Sequence, residues 1–178
     1  MKVKIVASFA SVLLLAVGFA QAKTTSEECS WPQKRMPPMR YTVNYAVSNS
    51  SATPVAETAI HIINRSRKNE ACVYVVFKDK DGVEKGVAQG FIPANGSKVF
   101  ATATTADAVS PPPPFVVDYA ATVVNTDTPD LPLQTPFEGR AEIYSRNPSM
   151  QVAPFMTSGS SISNLPVQKS VQSTKGGH

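Results

Sequence analysis

The sequence predicts an all-β protein: an antiparallel sandwich of about seven to eight strands, with an extended N-terminal arm and a loose C-terminal tail. Three observations predict it. Short segments alternate apolar and polar residues with a period of two, the mark of a strand with one buried face. Turn-forming Gly, Pro, Asn and Asp residues separate these segments at short spacing. No segment past residue 22 carries the 3.6-residue periodicity of an amphipathic helix, and the 15 prolines would interrupt most helices.

The chain opens on Lys2 and Lys4, then an apolar run over residues 5–19, then Ala20-Gln21-Ala22. Positive, apolar and small-residue regions in that order read as a secretory signal peptide over residues 1–22, with Ala20 and Ala22 where a signal peptidase reads. The run is shorter than the roughly 20 apolar residues of a spanning helix. The expected location is secreted or periplasmic, with no membrane span in the mature chain. Cleavage removes two lysines and lowers the net charge from +4 to +2. That takes away the main argument for nucleic acid or another anionic partner. The remaining 156 residues suit one domain.

Residues 23–38 are polar and contain proline, with Trp31 their one large apolar residue, and read as an extended arm. Residues 39–157 carry the strands, in order. Tyr41, Val43, Tyr45 and Val47 alternate with Thr42, Asn44 and Ala46, so the tyrosines and valines are expected on one buried face. A break at 49–54 leads to a second strand over 57–64. Arg65-Ser66-Arg67-Lys68-Asn69 is a basic turn. Residues 71–77 are apolar on both faces and are expected at the centre of the sheet. Asp81-Gly82 marks a tight hairpin that returns over 83–91, where Gly86 and Gly90 predict bulges or close backbone approach. After a turn at 92–97 come a short strand over 98–102, a stiff four-proline run over 111–114 and one long strand over 115–124. A loop over 125–136 precedes the last two strands, 137–144 and 150–156. Residues 158–178 are Ser-, Gly- and Gln-rich and read as a flexible tail.

Five stretches of this core carry a resemblance: Ile62-Ile63-Asn64-Arg65-Ser66, Ala71-Cys72-Val73-Tyr74-Val75-Val76-Phe77, Asp81-Gly82, Ile92-Pro93-Ala94-Asn95-Gly96-Ser97, and Phe137-Glu138-Gly139-Arg140-Ala141-Glu142-Ile143-Tyr144. In that order they resemble secreted bacterial immunoglobulin-like sandwich modules. The resemblance implies an immunoglobulin-like β-sandwich and a role in adhesion, carbohydrate contact or assembly. Its motifs are turns and strands, so it carries over no functional residue.

Cys29 and Cys72 both lie beyond the signal peptide. In an oxidising compartment an even pair reads as a disulfide, whose long loop would contribute about 3–4 kcal/mol in the chain-entropy model. His61 is the one histidine within the strands; a strand histidine with no sequence partner is read as a packed residue rather than a catalytic base. The Met36/Met39 pair is too small a set for a copper site, and Asp79, Asp81 and Glu84 lack calcium-loop spacing. Glu138 and Glu142 share one strand face with Arg140 between them, and read as a solvated, charge-compensated surface. No catalytic residue, metal or cofactor is therefore expected.

Candidate binding residues are Trp31 on the arm and the basic turn residues Arg65, Arg67 and Lys68. Most of Tyr41, Tyr45, Tyr74, Tyr119 and Tyr144 are assigned to the core. Asn49, Asn64 and Asn95 each open a glycosylation-type triplet. The expected function is an exported, non-enzymatic protein with a binding or structural role in the periplasm or at the cell surface. Its expected partner is a surface polysaccharide or another exported protein. Two other readings stay open: a subunit of a surface assembly that uses the arm for strand addition, and a hydrolase built on His61.

Overall fold

The structure is a computed structural model and describes residues 39–49, 55–102, 116–123, 131–159 and 161–171. The expected signal peptide, with Ala20 and Ala22, and the arm, with Cys29 and Trp31, lie outside the described residues, as do the proline run and the last seven positions. The described residues are all-β, without a helix. Eleven strands form one sheet: β1 (Met39–Asn49), β2 (Ala56–Asn64), β3 (Ala71–Asp79), β4 (Glu84–Ile92), β5 (Ser97–Ala101), β6 (Tyr119–Ala120), β7 (Thr122–Val123), β8 (Phe137–Ser145), β9 (Met150–Ser158), β10 (Ser161–Asn164) and β11 (Val167–Val171).

The main path through the sheet runs β10-β9-β2-β1-β8-β3-β4-β7. It curls into a barrel-like shape with one unsealed seam. The curling follows from strands that change partner along their length. β2 keeps β9 on one edge, while its other edge pairs β1 at Ala56 and Glu57 and β5 from Ala59 to Ile63. β1 keeps β8 on one edge, while its other edge pairs β11 over Met39–Val43 and β2 at Ser48 and Asn49. A plain antiparallel sandwich is thus not what forms. β5 and β6 are parallel, and the strands wrap around one core instead of stacking as two clear layers.

That core is apolar and closely filled. Phe77, Phe100, Ile60, Ile62, Ile92, Ile143, Val43, Val73 and Val75 are fully buried, each such side chain contributing about 1.5–3 kcal/mol relative to exposure. Phe77 meets Phe137 edge-on at 6.1 Å, and Phe100 packs on Tyr119 at 4.9 Å. The expectation for Gly90 holds: a Cβ there would lie 2.1 Å from the Tyr119 ring, so glycine is what lets that ring reach the core. The register between β3 and β4 slips beside Gly86, also as expected.

Two expectations are corrected. The long strand over 115–124 is two short ones, β6 and β7, because the chain changes partner at Ala121: Tyr119 and Ala120 join β5, and Thr122 and Val123 join β4. Where the expected loose tail over 158–178 falls on described residues, strands form instead. β9 continues to Ser158, β10 pairs back on it from Ser161, and β11 lies along β1. Composition misled here, since β10 exposes all four of its residues and has no apolar alternation to reveal it.

Candidate functional site

Three polar arrangements occupy the outside of the sheet. The first is on the outer face of β1, β8 and β3, where side chains at even-numbered positions line up. Glu142 is 1% exposed, yet its carboxylate meets three cations. Arg40 donates to Oε1, Lys78 lies 3.0 Å from Oε2, and the Arg140 Nε is 3.3 Å from Oε1. The Tyr144 hydroxyl donates to Oε2, and the Arg40 guanidinium sits over the Tyr144 ring at 5.9 Å. Burial pushes the carboxyl upward, but the hydrogen bonds from Tyr144 and Lys78 and the charges of Lys78 and Arg40 outweigh it and hold Glu142 at about 2. Burial, then the bond to Glu142 and its charge, raise the Tyr144 hydroxyl above its ordinary range. The expected pairing with Arg140 is present, but the solvated surface is not: strong pairing is what allows this carboxylate to be buried.

The second arrangement is the basic end. The Asn64 side chain is fully buried and ties three loops together. Its Nδ2 donates to the carbonyls of Asn69, Ile92 and Pro93 at 2.8, 3.2 and 3.1 Å. Its Oδ1 accepts from Ser66 N at 3.0 Å and from Asn147 Nδ2 at 2.8 Å. Asn64 is therefore committed inside the fold and closed to modification there. The loop it organises holds Arg65, Arg67 and Lys68, all exposed. Arg65 donates to Gln151, so one of the three predicted basic residues is engaged with the neighbouring strand β9.

The third lies at the opposite end of β3, roughly 25 Å away at the rise of a strand. The register of β1 against β8 shifts between Val43 and Ala46. This bulge overturns the expected alternation: Tyr45 turns outward, 40% exposed, and Ala46 takes the core position at 0%. Bulges re-aim side chains and are enriched beside functional sites. Here Asn44 and Tyr45 enter a cavity of about 320 Å³ whose lining includes Lys80, Glu138 and Arg140. A second cavity of about 440 Å³, lined in part by Lys85, Gln134 and Phe137, shares Asp79 and Glu138 with it. The two adjoin at these residues as a two-part groove. Gly139 is its floor: a Cβ there would lie 1.9 Å from the Lys78 carbonyl, so β3 and β8 close up where the groove runs. Asp79 is already used, accepting from Asp81 N and Val83 N at 3.0 and 2.9 Å and pairing Lys85 at 3.3 Å. Among the described residues, Asn44, Tyr45, Lys80, Gln134 and Glu138 have no side-chain partner.

The predicted residues thus do not converge. Arg65, Arg67 and Lys68 share the basic end. Cys72 is half-buried on β3, paired in register with Phe91, and its expected partner Cys29 is outside the described residues, as is Trp31. His61 is half-buried on β2 between Val99 of β5 and Ala153 of β9. Sequence reasoning missed the groove, and the available signal was Asn44-Tyr45 followed by the small residue Ala46, an interruption in an otherwise regular strand. Comparison with protein-family models, curated proteins and solved structures gives no match to the chain.

Proposed function

We propose that the chain is an exported, non-enzymatic binding protein of the periplasm or cell surface, and that it holds its partner in the groove beside Tyr45. One observation carries this reading: a β-bulge turns an aromatic ring and an amide out of the core into a groove where, among the described residues, Asn44, Tyr45, Lys80, Gln134 and Glu138 have no side-chain partner, while Asp79, Glu84, Lys85 and Arg140 are already paired. An unpartnered set of donors and acceptors around an exposed ring is what a ligand site offers before it is filled. The tripartite N-terminus supports export, and export supports a Cys29–Cys72 bridge. The hairpin at Asp81-Gly82 and the turn after Ile92 support kinship with immunoglobulin-like modules, here curled further round. The test is retention on purified cell-envelope fractions. Loss of retention in the Y45A/E138A double variant, with unchanged thermal unfolding, supports the proposal; equal retention counts against it.

The free outer edge favours a second reading, assembly. β10 is fully exposed and pairs only β9 among the described residues, and an unpaired edge accepts an added strand. Light scattering decides this one: a strict monomer at every concentration, unchanged by deletion of residues 23–38, removes it.

A further inference from the structure

We infer that the groove beside Tyr45 takes a neutral saccharide, a short run of sugar rings with one ring laid on the Tyr45 face. The inference rests on the groove being the binding site, and the chemistry of its lining selects the class. Tyr45 is 40% exposed and lines the first cavity, and an aromatic ring with a polar hydroxyl is the amphipathic surface that suits a pyranose. With it in the first cavity stand the amide of Asn44, a carboxylate acceptor in Glu138, and donors in Lys80 and Arg140, and the adjoining cavity adds a second amide, Gln134. Sugar hydroxyls both donate and accept, so a mixed set of this kind satisfies them from either side.

Other ligand classes fit less well. A polyanion needs a surplus of cations, but Arg140 is engaged with Glu142 and Lys85 with Asp79, leaving Lys80 against Glu138. An extended peptide needs a long free strand edge, but β8 is paired with β1 and β3 on its two edges, and β1 is left open on its other edge only over residues 44–47. An apolar small molecule needs a mostly apolar pocket, and this lining mixes charged and amide groups with Tyr45, Leu133 and Phe137. Cavities of about 320 and 440 Å³ that share Asp79 and Glu138 have room for more than one sugar ring.

The experiment is an amide-resonance titration of the exported chain with maltohexaose, cellohexaose and chitohexaose, and separately with a heparin hexasaccharide. The expected result is a saturable shift at Asn44, Tyr45, Gln134 and Gly139 with at least one neutral hexaose. Y45A should weaken that binding by about tenfold, while Y45F, which keeps the ring, should stay within about twofold. Shifts confined to Arg65, Arg67 and Lys68 with the heparin fragment would overturn the saccharide groove. If no sugar binds, yet Y45A/E138A still abolishes envelope retention, the ligand class is wrong and the groove survives as a binding site. If neither is seen, both fail.

Discussion

Glu142 on β8 and Lys78 on β3 meet at 3.0 Å on the outer face of the sheet, and the carboxylate of that pair is almost wholly shielded from water. A buried carboxylate is tolerated only while its partners are in place, because removing one member of such a pair leaves the rest desolvated and unpaired. Arg40, Lys78 and Arg140 are partly exposed, so water recovers part of that cost. Glu142→Gln is expected to cost about 2–3 kcal/mol at pH 7 in urea unfolding. Its pH dependence identifies the cause. The folded carboxyl sits at about 2 against an ordinary 4.5, so its stabilisation is present above 4.5 and is lost as pH falls from there toward 2. The variant should lose less stability than the natural chain over that window. Parallel acid curves would show that the pairing contributes nothing.

Glu57 should behave in the opposite sense. It is 6% exposed at the corner where β1 passes to β2, and among the described residues it has no cation. Its carboxylate accepts from Ser48 Oγ at 3.2 Å and lies 2.7 Å from Thr102 Oγ1. The Thr102 hydroxyl has one proton but three acceptors within reach: Glu57, the Val47 carbonyl at 3.0 Å and the Thr58 carbonyl at 3.3 Å. A protonated Glu57 resolves the shortage by donating to Thr102, which then donates to Val47. Burial raises the Glu57 carboxyl above 4.5, against the smaller lowering effect of Thr102 and Ser48. This stabilisation is complete below 4.5 and is lost as pH rises through the folded value. Glu57→Gln keeps a donor without the charge, and should raise the melting temperature at pH 8 while changing it little at pH 4. A variant less stable at both values would refute the arrangement.

These clusters show what the sequence could reveal. Nearly every strand from β1 to β9 announces itself, because alternation and turn residues act locally. Glu142 also declares its face, through parity with Glu138 and Arg140. What does not show is which strands lie beside β8. Arg40 is 102 positions away and Lys78 belongs to another hairpin, so a carboxylate expected in solvent is buried by partners that only the topology supplies. Tyr45 fails for a related reason. A bulge adds one residue and reverses the face of everything beyond it, and no single residue in Val43-Asn44-Tyr45-Ala46 demands one. β10 and β11 are hidden because edge strands need little apolar pattern.

Asn64 gives a prediction about the basic end. Its amide satisfies three loop carbonyls that would otherwise be left without that donor, and an unsatisfied buried group costs about 1–3 kcal/mol. Asn64→Ala should destabilise the fold by about 3 kcal/mol. Hydrogen exchange should show faster opening at Ser66, Asn95 and Asn147, while β3 amides near Asp79 are protected as before relative to global stability. Uniform loss across the sheet would instead mean that Asn64 serves packing and not the loops. Asn64→Asp separates the two further: it keeps the size and the acceptor for Ser66 N but presents a charge to three carbonyls, so it should be at least as damaging as alanine.

Gly139 links fold and groove most directly. It sits opposite Asp79 in the register of β3 and β8, and an added Cβ would lie 1.9 Å from the Lys78 carbonyl and 2.8 Å from the Asp79 Cα. Both contacts are backbone, so no side chain can swing away, and the strands themselves must part. Gly139→Ala should therefore cost about 2–4 kcal/mol, the range of a substitution that forces backbone apart in a packed region. The damage should be local first. Asp79 holds the hairpin by accepting from Asp81 N and Val83 N, so displaced amide resonances are expected at Asp79, Lys80 and Val83 before any change at Asn64. Groove binding should fall further than in Y45F, because Glu138 and Lys80 lose their spacing together. A substituted chain with natural stability and unmoved Asp79 and Lys80 resonances would mean that β3 and β8 do not close at this point, and the groove would lose its floor.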